Sequence, residues 1–71
     1  MEKMEIIDLL LEYAPKVKKG QVFYCKVFLS DLNLTIDFKK SDELFLSSND
    51  FLTIGDVCFY NIGAIKDIEF Y

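Results

Sequence analysis

Apolar and polar residues recur along this chain with two different periods, and the change falls at Gly20. In EKMEIIDLLLEYA, Met4, Ile7, Leu11 and Ala14 repeat at spacings of three and four, and Ile6, Leu10 and Tyr13 widen the same arc. That period predicts a helix over residues 2–14 with one apolar side. Glu5, Asp8 and Glu12 fall together on the opposite side. Pro15 is expected to stop the helix, because proline lacks the backbone donor and restricts the residue before it. The lysines of KVKKG then lie where the helix dipole favours positive charge.

Beyond Gly20 the period becomes two. In QVFYCKVFLS, Phe23, Cys25, Val27 and Leu29 share one side of a strand, while Val22, Tyr24, Lys26 and Phe28 share the other. In LTIDF, Leu34, Ile36 and Phe38 point inward, with Thr35 and Asp37 outward. The stretches SDLN, KKSD, SSND and GD read as turns between short strands. Strands are therefore expected near 21–30, 33–38, 43–47, 51–54, 57–61 and 65–71. One helix followed only by tightly connected strands predicts an α+β, mostly β chain: a five- to six-stranded antiparallel small barrel or bent sheet, with the helix over one open side. The last strand should pair with the first, because closure removes exposed edges, and Ile65, Ile68 and Phe70 should be packed.

A chain of 71 residues has room for one domain, here 1–71. A domain of this size buries only about 60% of its unfolded surface, so a monomer is marginal without a disulfide, a metal or a partner subunit. There is no His and no C-x-x-C pair, so neither a metal nor a cofactor is expected. Cys25 and Cys58 sit among apolar residues and are expected to be reduced and buried. The acidic start MEKMEIID does not read as a signal peptide, and no run reaches the roughly 20 apolar residues of a membrane span; the expectation is a cytoplasmic protein.

The polar inventory narrows the chemistry. All the basic residues are Lys, and neither Arg nor His is present. That removes the planar fork that grips phosphate and the usual proton shuttle near neutral pH, so the chain reads as non-enzymatic. A net charge of −4 argues against nucleic acid as a partner. Two surfaces remain as binding candidates. The acidic stripe Glu5, Asp8 and Glu12 suits a basic partner, although a solvated helix face is the simpler explanation of it. Tyr24, Lys26 and Phe28 on the second face of the first strand, with Tyr60, suit a protein interface or a planar small ligand; the alternative is that these aromatics belong to the core.

The N-terminal helix, the bent strands and the closing FYNIGAIKDIEF resemble the layout of Sm-like proteins, in which the penultimate strand leads through a short turn into a final apolar strand. The resemblance implies an SH3-like barrel and, through that family, an RNA-binding module. Ile62 and Gly63 stand where the family's bacterial RNA chaperones carry a basic pair.

The reading that follows is a small binding protein that acts by contact with protein, such as an accessory or phage-encoded inhibitor of a host factor. The composition, rich in Ile, Lys, Asp, Glu, Phe, Tyr and Asn, suits a bacterial or phage gene of high A+T content. A nucleotide-type ligand site and an Sm-like RNA module are the alternatives. A homo-oligomer is also expected, through the closing strand or the apolar helix surface, since apolar residues cover more of the helix than one small sheet can shield.

Overall fold

The first helix runs further than its proline suggests. In the computed structural model, which describes residues 1–38 and 44–71, α1 spans Lys3–Lys18 with Pro15 inside it. A proline at this position deletes one hydrogen bond, the one its nitrogen would donate to the Leu11 carbonyl. Pro15 and Leu11 are both exposed, so water can take that carbonyl. Val17, one turn later, is buried on the same stripe as Ile6 and Leu10, and its packing holds the last turn in helical form.

What ends the helix is Gly20. Its φ of 74° lies in the left-handed region, where any Cβ is strained. The Gly20 N–H donates to the Val17 carbonyl at 3.0 Å and the Gln21 N–H to the Lys16 carbonyl at 2.9 Å. Together these two bonds form a Schellman motif and satisfy carbonyls that the helix leaves open.

Among the described residues six strands follow: β1 Tyr24–Phe28, β2 Asn33–Asp37, β3 Leu44–Leu46, β4 Leu52–Ile54, β5 Val57–Phe59 and β6 Asp67–Phe70. They form two antiparallel three-stranded sheets, ordered β2-β1-β6 and β3-β4-β5. The chain is thus α+β, as expected. The closing strand does pair with the first: Cys25 stands opposite Phe70 and Val27 opposite Ile68. A closed barrel is not formed among the described residues, since no ladder joins the two sheets. The KKSD turn, and Glu43 at the start of the expected third strand, lie outside the described residues.

Local chemistry sets the remaining turns. Ser47 organises the β3–β4 connection: its hydroxyl accepts from the Asn49 and Phe51 N–H groups at 3.3 and 3.2 Å, and its own N–H donates to the Phe51 carbonyl. Between β5 and β6, Ile62–Ala64 form a single 3₁₀ turn capped by Asn61, whose side-chain oxygen accepts from the Gly63 N–H at 2.8 Å. That turn drives Ile62 into the core, where it is fully buried.

The core lies between α1 and the inward-facing side chains of both sheets. Ile6 and Leu10 come from the helix, Cys25 and Val27 from β1, Leu52 and Ile54 from β4, and Ile62, Ile65 and Ile68 from the closing segment. Phe70 packs against this cluster, so the expected placement of Ile65, Ile68 and Phe70 holds. Each fully buried aliphatic side chain here contributes about 1.5–3 kcal/mol relative to exposure. At Cys25, burial pushes the thiol up to about 12.

Several predicted orientations change. Met4 and Leu11 are 64% and 69% exposed, so the buried stripe of α1 is Ile6–Leu10–Val17 and not Met4–Ile7–Leu11–Ala14. The apolar arc is wider than the surface it covers, and packing chose one side of it. Phe23 is exposed and Val22 buried, the reverse of the alternation, because β1 starts only at Tyr24. Cys58 is exposed: it stands opposite Thr53 on the outer face of the second sheet, while its neighbours Val57 and Phe59 pack inward. Both thiols are free.

Candidate interaction surface

Alternation along β1 carries Tyr24, Lys26 and Phe28 to the outer face of the first sheet, opposite the core-facing Cys25 and Val27. Their neighbours across the ladder are largely acidic or polar. Lys26 lies between Thr35 and Glu69, and Phe28 between Asn33 and Asp67. Tyr24 stacks on Tyr71 with ring centroids 4.7 Å apart and planes 19° from parallel. The Lys26 ammonium lies 5.7 Å from the centre of the Tyr71 ring, and the Tyr71 hydroxyl donates to Glu69. That bond to Glu69 holds the proton on the Tyr71 phenol and raises its pKa above the usual tyrosine value, with desolvation as the next cause. Tyr24, Lys26, Glu69 and Tyr71 thus form one group whose aromatic faces and charges are already turned to each other.

Tyr60 does not join them. It sits past the end of β5, 83% exposed, with its ring edge-on to Phe51 at 5.4 Å. The acidic stripe occupies a third place. Glu5, Asp8 and Glu12 are all exposed along α1, and Glu12 reaches Lys16 at 3.7 Å. At the helix start, Lys3 pairs with Asp50 at 2.5 Å and ties α1 to the β3–β4 turn. The seven predicted residues thus fall on three surfaces: the outer face of the first sheet, the end of β5, and the solvent side of the helix.

A feature that the sequence reading did not single out lies beside the stripe. α1 and β3 leave between them a cleft of about 180 Å³, lined by Leu10, Leu11, Ala14, Leu44, Phe45, Leu46 and Leu52. Its floor is the core residue Leu52; one bank is α1, with Leu11 exposed, and the other is β3, whose Phe45 is exposed at the rim on the outer face of the sheet, in one row with Thr53 and Cys58. Every lining residue among those described is apolar, so the cleft exposes hydrocarbon to water at its rim. The sequence signal was the excess of apolar positions on the helix, Ile6 through Leu11 being interrupted only by Asp8. It could not show which of those positions the fold would leave uncovered.

Among the described residues no group of three or more His, Cys, Asp and Glu side chains is placed to hold a metal ion. No described helix is long and apolar enough to cross a membrane. Compared with models of protein families, with curated proteins and with solved structures, the chain gives no match.

Proposed function

We propose that this chain is a non-enzymatic binding protein that acts by contact with other protein, and that the α1–β3 cleft is its contact surface. The observation that carries the reading is the pair of exposed banks: Leu11 at 69% and Phe45 at 57% exposure flank an apolar floor. Hydrocarbon in that arrangement stabilises a complex when covered and costs free energy when wet.

The alternatives draw less support from the geometry. Of the candidate aromatics, Tyr24 already stacks on Tyr71, and Tyr60 already meets Phe51 edge-on. For an Sm-like RNA module, the outer face around Lys26 carries Asp37, Asp67 and Glu69, charges that repel phosphate. Of the two routes to a homo-oligomer, the closing strand has Phe70 engaged within the chain by Tyr13, and the helix surface carries exposed Asp8 and Glu12 close to Leu11.

The test is retention on the immobilised chain, wild type beside Leu11→Glu, offered cell lysate, a nucleotide panel and short RNAs in turn. Protein retained by the wild type and lost with the variant is the expected result. Retention of nucleotide or RNA, unchanged by the variant and without any such protein, would overturn the reading.

A further inference from the structure

The charge around the cleft is uneven, and the unevenness specifies a partner. At about 100° per residue, Met4 lies about 20° round the helix from Leu11, and Asp8, Glu12 and Glu5 follow at about 60°, 100° and 120°. The cleft floor lies the other way, toward Leu10 and Ala14. The helical bank of the cleft is therefore apolar at its crest and acidic just behind it, all three carboxylates being exposed. Basic groups on this helix lie toward its ends: Lys3 is paired with Asp50, Lys16 shares Glu12 across an exposed contact of 3.7 Å, and Lys18 lies in the last turn, so Asp8 and Glu5 carry most of the stripe's charge.

We propose that the α1–β3 cleft takes a basic amphipathic segment of a partner protein, its apolar side chains entering between Leu11 and Phe45 while its lysine or arginine heads reach over Leu11 to Asp8, Glu12 and Glu5. This rests on the protein-contact reading and names its partner chemistry. A helical segment with apolar anchors at positions i, i+3 and i+4 meets such a groove along one face. Lys and Arg suit the crossing of the crest, since their aliphatic stems lie along apolar surface while the charge stays in water. A second copy of this chain fits less well, because the net charge of −4 and the like-charged stripes oppose it. With the negative charge concentrated between Glu5 and Glu12 and Lys18 at the other end, the more basic end of the segment lies alongside the first half of α1.

The full chain can be titrated with two synthetic helical peptides of identical leucine pattern, one with Lys at every polar position and one with Glu, followed by amide chemical shifts. The Leu/Lys peptide is expected to bind at least about tenfold more tightly than the Leu/Glu peptide and to weaken as salt rises from about 50 to 500 mM. Shift changes should centre on α1 and β3. Leu11→Ser and Phe45→Ser, both at exposed positions and checked for native far-UV circular dichroism, should each weaken binding several-fold, and Asp8→Lys combined with Glu12→Lys should reverse the preference toward the Leu/Glu peptide. Equal binding of both peptides, indifference to these substitutions, or shifts centred on Tyr24, Lys26 and Phe28 would overturn the inference. So would self-association of the wild type that Leu11→Ser abolishes, which would make a second copy the occupant. A cellular protein retained by the wild type and lost with Leu11→Glu, found together with equal binding of the two peptides, would defeat this inference and leave the protein-contact reading at the cleft standing, whereas nucleotide or RNA retention unchanged by that variant would defeat the reading itself.

Discussion

Tyr13 on α1 and Phe70 on β6 stack face to face, with ring centroids 4.7 Å apart and planes 10° from parallel. Through this pair the helix meets the closing strand, and Phe38 extends the stack from the other side at 6.5 Å. Tyr13→Leu and Phe70→Leu should each destabilise the chain by about 1–3 kcal/mol, and the double variant should lose less than the sum by about 0.5–1.5 kcal/mol. Urea unfolding of the four proteins measures that coupling. Strict additivity would mean that the rings touch without stabilising each other.

Gly20 is the second point at which one residue sets the architecture. A Cβ there meets nothing within 4 Å, so the cost of substitution comes from its φ of 74° and not from a clash. Gly20→Ala should destabilise by about 1 kcal/mol, and Gly20→Asn by less, since Asn visits the left-handed region more readily. Equal stability of the three proteins in urea would contradict the assigned cap.

The two thiols should react very differently. Cys58 is exposed and Cys25 fully buried, so a thiol reagent added to the native protein is expected to modify Cys58 promptly and Cys25 only as the chain unfolds. Mass spectrometry of the timed products locates each adduct. Rapid double modification of the native protein would place Cys25 at the surface.

Burial of Cys25 also makes stability depend on alkaline pH. Its pKa rises from 9.0 to about 12 in the folded chain, so between those values the unfolded state releases a proton that the folded state keeps. The stability tied to the neutral thiol is fully present below pH 9 and is lost as pH rises toward 12. The slope is about 1.4 kcal/mol per pH unit at most. Urea midpoints for the wild type between about pH 8 and 10.5 should fall more steeply than those of Cys25→Ala, which lacks the titrating group. Parallel curves would show that the thiol does not contribute.

The pattern of residues by itself determined the order of elements: a helix, a change of period at Gly20, five or six short strands, and a last strand that pairs with the first. Those follow from local chemistry. Three- and four-residue spacing cannot serve a strand, alternation cannot serve a helix, and the Asp, Asn, Ser and Gly clusters close the chain at the turns.

Wherever local preference left more than one answer, tertiary structure decided. Pro15 alone argued for an early helix end, but the burial of Val17 beyond it was worth more than one exposed hydrogen bond. The helix carries apolar residues on most of its circumference, so periodicity could not say that Ile6 and Leu10 would be covered and Met4 and Leu11 left out. Cys58 reads as a core position by its neighbours, yet the register of a three-residue strand turned it outward opposite Thr53. The same limit hid the cleft. Leu11 and Phe45 are far apart in sequence, each unremarkable in its own element, and only the docking of α1 beside β3 makes them two banks of one apolar groove.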